Sequence, residues 1–146
     1  MTTTAPLLLI TADSSDPLAY LALRYAQAYL KDISADDTQT NNNDNPNTKR
    51  PLLNVFFYGD SAHLANRLRW QSADQMNLTK EWQMLAEQYQ LALPVCVSTA
   101  LSRGVSDTEN GARHQLDGDN LATGFTLVGL SELALMMQND CRIIPF

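Results

Sequence analysis

Two thiols are the residues of this sequence best suited to covalent chemistry, and they stand in unlike surroundings. Cys96 ends the apolar run at 91–97 (LALPVCV) and is followed by Ser98, Thr99 and a turn of helix through Ala100 and Leu101. A thiol at the carboxyl end of a strand, facing a helix start, has its thiolate stabilised by free N–H groups and the helix dipole. Arg103, a few residues on, is placed to add positive charge. That combination describes a nucleophile. An unpaired cysteine is more often a small buried hydrophobe, so placement alone leaves both readings open. Cys141 stands just before the last apolar run (RIIPF, 142–146), at the amino-terminal edge of the expected sheet. The two thiols are then about one strand length, ~17 Å, apart, whereas a disulfide needs Cα atoms within roughly 7 Å. They are not expected to pair, and Cys141 reads as structural.

Other chemistry has less support. His63 follows the second apolar run and His114 lies in a polar stretch. Either is a candidate general base, yet two histidines this far apart are more often plain surface residues. No paired-histidine motif and no GxSxG is present, so zinc-hydrolase and serine-hydrolase readings lack their signatures. Neither GxGxxG nor GxxxxGK[ST] occurs, which removes the usual nucleotide-binding glycine loops. The stretch at 11–16 (TADSSD) is placed to hold a phosphate at the following helix start, as in flavodoxin-like proteins. Asp13 and Asp16 argue against it, because they put negative charge where the anion would sit. The cysteines and histidines have no metal-ligand spacing. Neither a metal nor an organic cofactor is expected. Trp70, Trp82 and the Met136-Met137 pair read as core or interface.

The elements that must position these groups follow from periodicity. Residues 7–11 (LLLIT) form a short apolar run suited to a strand buried on both faces. Asp16-Pro17 is an N-cap with proline at the first helical position. Leu18, Leu21, Ala22, Tyr25 and Tyr29 then repeat at helical spacing to about Lys31. The run 52–58 (LLNVFFY) is the second strand, completing a βαβ unit with a parallel sheet. Between them, residues 34–49 are rich in Asn, Asp and Thr and have almost nothing to bury, which reads as a disordered loop without function.

A short helix is predicted over 61–69, and another through Trp82, Leu85, Ala86 and Tyr89, capped by Asn77 or Thr79. Residues 91–97 make the third strand, where Pro94 implies an edge position or an irregular strand. A polar stretch with one short helix at 108–114 follows. Residues 126–138, apolar nearly all round, predict a helix central in the fold or buried against another subunit. The last strand is 142–146. The pattern is that of a three-layer α/β/α sandwich with a mostly parallel sheet of four or five strands. Chemistry in such sheets gathers at the carboxyl ends of the strands, and Cys96 lies there.

Composition bounds the rest. The 146 residues are 45% hydrophobic and 18% charged, with net charge −6. A single domain over 1–146 is expected, and a chain this long buries roughly 68–70% of its surface without staples. An acidic chain with no basic patch disfavours direct nucleic-acid binding. No signal-peptide pattern and no apolar stretch of about 20 residues is present. Two unpaired cysteines suit a reducing, cytoplasmic setting.

Residues 93–105 (LPVCVSTALSRGV), with the preceding 54–68 (NVFFYGDSAHLANRL), resemble the DsrE/TusD family of sulfurtransferase subunits. Residues 124–146 are similar to the closing helix and strand of that family, and the likeness is most specific for the TusD-like branch. It implies the three-layer α/β/α fold and a persulfide carried on Cys96. The implied activity is a relay, in which a donor protein hands a sulfane sulfur to Cys96, which passes it to an acceptor protein. In the Tus branch that sulfur ends in 2-thiouridine at the tRNA wobble position, and the subunit sits with two paralogues in a hexamer. In the Dsr branch a similar hexamer serves sulfur oxidation. The segment 34–49 has no counterpart in the short turn the family implies, and Ser102 stands where relatives often carry a second basic residue.

Two other readings remain. One is a non-catalytic assembly subunit with an inert Cys96. The other is a flavodoxin-type binder using the stretch 11–16.

Overall fold

A computed structural model describes residues 4–36 and 53–146. Most of the expected loop at 34–49 lies outside the described residues. Its first part does not, because the first helix continues past Lys31.

The strands are β1 (Leu7–Ile10), β2 (Asn54–Phe57), β3 (Leu93–Cys96), β4 (Phe125–Val128) and β5 (Ile143–Pro145). The helices are α1 (Pro17–Asp36), α2 (Leu78–Tyr89), α3 (Val97–Ser102), α4 (Thr108–Arg113) and α5 (Leu130–Met136), with a 3₁₀ helix over Gly59–Ala65. Asp16 caps α1 by accepting from the Leu18 N–H at 2.9 Å. No glycine or proline stops that helix near Lys31, and Ser34 remains helical by donating to the Leu30 carbonyl. Asn77 caps α2, accepting from the Lys80 N–H.

All five strands are parallel, in the order β4-β3-β2-β1-β5. That order dictates the layers. From β1 to β4 the chain steps across the sheet in one direction, and from β4 to β5 it returns across the full width. Right-handed crossovers put the outward helices on one face and the return crossover on the other. The first face therefore packs Leu8, Ile10, Val55, Phe57, Val95 and Phe125 against α1 and α2, where Trp82 is fully buried. Phe57 meets the Trp82 ring edge-on at 5.3 Å and Phe125 at 5.5 Å. The second face carries Leu7, Leu9, Phe56, Cys96 and Val128, with α5 over it.

Two expectations are corrected. Residues 126–138 are not one helix: Phe125–Val128 form strand β4, Gly129 breaks the run, and only Leu130–Met136 are helical. A short apolar run does not distinguish strand from helix by content, and the aromatic and β-branched FTLV favours strand once β3 offers its edge. Nor is this segment deeply buried. No residue of α5 is buried, and Leu130, Leu135 and Met137 are about half exposed. Likewise, Pro94 does not lie on an edge. β3 is interior, pairing with β4 along four residues but with β2 only at Phe57↔Val95. The irregularity falls on the β2 side, since a proline removes one donor from a ladder. Among the described residues, no helix is long and apolar enough to cross a membrane.

Candidate functional site

Cys96 is the last residue of β3 and the N-cap of α3. Two hydroxyls follow it in the first helical turn. Cys96 Sγ and Ser98 Oγ lie 3.3 Å apart in a hydrogen bond. The Thr99 hydroxyl donates to the Cys96 carbonyl at 3.2 Å and accepts from the Gly59 N–H at 3.3 Å. Gly59 has φ 64, a left-handed turn that glycine makes without strain, and it takes the chain from β2 into the 3₁₀ helix beside α3. Arg103 Nε donates to Asp60 Oδ1 at 2.9 Å, and its Nη1 donates to the Thr99 carbonyl at 3.1 Å. The guanidinium thus ties α3 to the 3₁₀ helix, and it is not among the groups acting on the thiol. The groups that lower the thiol belong to Ser98 and Thr99.

Burial pushes the Cys96 thiol up, but four hydrogen-bonding groups outweigh it: the Ser98 hydroxyl, the Thr99 N–H, the Thr99 hydroxyl and the Ser98 N–H. The thiol is held below the ordinary cysteine range. The two amides act on the sulfur from the helix start without completing a capping hydrogen bond. A thiolate accepts from the Ser98 hydroxyl and the two amides, and from the Thr99 hydroxyl when its proton turns from the Cys96 carbonyl to the sulfur, so the hydrogen bonds favour ionisation. The arrangement favours the thiolate, the nucleophilic form of a cysteine.

Access is the opposing fact. Cys96 is 1% exposed and forms a small cluster with Leu7 and Phe56. Leu9, Val128, Leu133, Met136 and Cys141 pack against that cluster. Only Ser98, among its polar neighbours, is exposed.

Of the remaining candidates, Cys141 touches the same cluster without pairing with Cys96. Cys141 is half-buried and its thiol donates to the Ala5 carbonyl at 3.5 Å. Both cysteines are free, and three strand spacings of about 4.8 Å separate β3 from β5, beyond disulfide reach. His63 lies in the 3₁₀ helix. His114 is the exposed C-cap of α4. The stretch 11–16 satisfies itself: the Ser15 hydroxyl donates to Asp13 at 2.6 Å and lowers its carboxyl against burial, while Asp16 caps α1. Among the described residues, no group of three or more His, Cys, Asp or Glu is arranged to hold a metal ion.

The model of the DsrE/DsrF-like family matches residues 7–146. The chain belongs to the DsrE/DsrF-like family. Sulfurtransferase TusD of Pectobacterium carotovorum subsp. carotovorum (strain PC1) is 44% identical over 95 residues, covering 65% of this chain and 74% of that protein. Sulfurtransferase TusD of Sodalis glossinidius is 42% identical over 95 residues, covering 65% and 73%. A crystal structure of the ychN protein from E. coli superposes with TM-score 0.63 over 98% of this chain and 100% of that one, at 15% identity, which is a likeness of fold.

In this DsrE/DsrF-like chain, sequence reasoning placed Cys96 at a helix start but gave no role to Ser98 or Asp60. The spacing C-x-S-T carried the signal for the first, since a hydroxyl two residues after an N-cap faces back toward it. Nothing local links Asp60 to Arg103, because they meet only when α3 docks on the 3₁₀ helix.

Proposed function

We propose that the protein is a sulfur-relay subunit acting through a persulfide on Cys96. The observation that carries this reading is a thiol held below its ordinary range at the carboxyl edge of β3, in a chain whose relatives are named sulfurtransferases. The Cys96 thiolate attacks the outer sulfur of a donor persulfide. A sulfur–sulfur bond forms at Cys96, and the donor's own bond breaks to release its thiolate. An acceptor thiolate then attacks that outer sulfur, and Cys96 leaves as thiolate. No net oxidation occurs, and neither metal nor organic cofactor takes part.

The destination we infer is the 2-thiouridine of the tRNA wobble position, on the likeness to TusD-named relatives. The DsrE-type role in sulfur oxidation is the alternative. Donor and acceptor are proteins, and at net charge −6 the chain leaves tRNA contact to others. The half-exposed Leu130, Leu135 and Met137 support assembly with paralogous subunits or further copies. A reducing cytoplasmic setting and a single domain over 1–146 complete the reading.

The test is to incubate wild type, Cys96→Ser and Cys141→Ser with a persulfidated donor and weigh each protein. Added sulfur on wild type and Cys141→Ser but not on Cys96→Ser is the expected result. Sulfur gained and passed on by Cys96→Ser overturns the assignment. The burial of Cys96 favours a second reading, an assembly subunit with an inert thiol. Resistance of the native thiol to mild alkylation, together with no sulfur gained from the persulfidated donor, would establish it.

A further inference from the structure

A thiol that exchanges sulfur with another protein must be reached by it, and Cys96 is 1% exposed. The sheet face that carries it is overlaid by α5. Leu133 and Met136 of α5 pack on the Leu7–Phe56–Cys96 cluster, both only half-buried, and α5 contains no buried residue. Val128, in register with Cys96 on β4, cannot move aside without breaking the sheet ladder. Nothing comparable holds α5. Among the described residues, no hydrogen bond or ion pair joins 130–136 to another element. A helix of seven residues has little stability of its own, so apolar contact alone keeps it in place. It is flanked by Gly129, extended at φ −78 and ψ 165, and by Asn139 and Asp140, consecutive left-handed residues at φ 62 and φ 55, with one tie beyond the helix where the Asn139 carbonyl accepts from the Thr4 hydroxyl. Segments with few buried contacts and no cross-links open at low cost, far below global unfolding.

We propose that α5 is a displaceable cover over Cys96, closed in the free protein and lifted when a sulfur-bearing partner is engaged. Its purpose rests on the sulfur-relay reading; its existence does not. Closed, it withholds the nucleophile from small oxidants and stray thiols. Open, it exposes the sulfur beside the Ser98 hydroxyl, which solvent already reaches.

The experiment follows alkylation of Cys96 by iodoacetamide, by intact mass, in the Cys141→Ser background. Native protein is expected to react at least ~10-fold more slowly than the same chain in guanidinium chloride at the same pH. Leu133→Ala with Met136→Ala should raise the native rate by about 10-fold, equivalent to weakening the cover by about 1.4 kcal/mol. Leu30→Ala, in α1 on the opposite face, should leave it within about two-fold. A native rate equal to the denatured one, or no acceleration in the double variant, overturns the cover.

Hydrogen exchange on the wild type gives a readout independent of any variant's folding. Amides of 130–138 should exchange at least ~100-fold faster than those of α2. Equal protection overturns the proposal. Neither readout uses sulfur transfer, so the outcomes separate. A cover that opens on a thiol taking up no persulfide sinks the relay alone. Persulfide uptake unaffected by the double variant, with no acceleration of alkylation, sinks the cover alone.

Discussion

The two faces of the sheet are built from the same five strands yet differ in how they are covered. On one, α1 and α2 bury a continuous core that includes Trp82, Leu23 and Leu30, each at most 2% exposed. On the other, one seven-residue helix crosses the sheet with no buried residue, and Ile143 on the β5 edge is 38% exposed. Strand order alone produces this asymmetry, since three connections lie on the outward path and one on the return. The difference teaches where the stable core and the Cys96 thiol separate. The thick face holds the fold, and the thin face holds the thiol.

That contrast is broken or sharpened by stability measurements. Trp82→Ala should cost about 3–5 kcal/mol in urea unfolding, through lost burial and the cavity beside Phe57 and Phe125. Leu133→Ala on the thin face should cost only about 1 kcal/mol, because a half-buried leucine gives up less than a fully buried one. Equal losses would show that α5 is as integral as α2. Asn77→Ala, removing the α2 cap, should cost about 1 kcal/mol and leave Cys96 reactivity unchanged. If reactivity rises with it, the thick face also controls the thiol.

The electrostatic half of the contrast is tested by pH. Ser98→Ala removes a hydrogen bond that lowers the Cys96 thiol, so its ionisation moves to higher pH. Alkylation should slow near pH 7 and be nearly unaltered at strongly alkaline pH, where the thiol is ionised in both proteins. The sign for stability follows. A thiol lowered in the folded state adds stability as pH rises through its folded value toward the unfolded one, and loses it on acidification. Ser98→Ala should shrink that increment, as read from urea midpoints across the same pH range. The smallest effect belongs to Arg103→Gln. Its pair with Asp60 is partly exposed, so a loss below about 1 kcal/mol is expected. With the guanidinium committed to Asp60, the pH dependence of alkylation should hardly move. A clear shift would restore Arg103 to the thiol's environment.

Much of this was legible in the residues. The apolar runs at 7–11, 52–58 and 91–97 announced strands, each a little longer than the strand that forms, Asp16-Pro17 and the choice of Asn77 or Thr79 announced helix starts, and the alternation of types announced a parallel sheet. Cys96 stood at a strand's carboxyl end before a helix, and that local pattern is enough to place a thiol near free N–H groups. These are short-range facts, decided by sterics, capping and periodicity, so neighbours in sequence suffice.

What tertiary structure alone decided is nonlocal. Residues 125–136 carried apolar content compatible with helix or strand, and only the open edge of β3 made the first four of them a strand. Pro94 was tolerated in the sheet interior because β3 pairs fully with β4 and at one position with β2. Arg103 was drawn to Asp60 because α3 lies on the 3₁₀ helix. The burial of Cys96 followed from the direction of the last crossover, which no single stretch of sequence contains. Strand order is a property of the whole chain, fixed by handed crossovers and the burial of apolar faces, and it placed Cys96 on the face that α5 overlays.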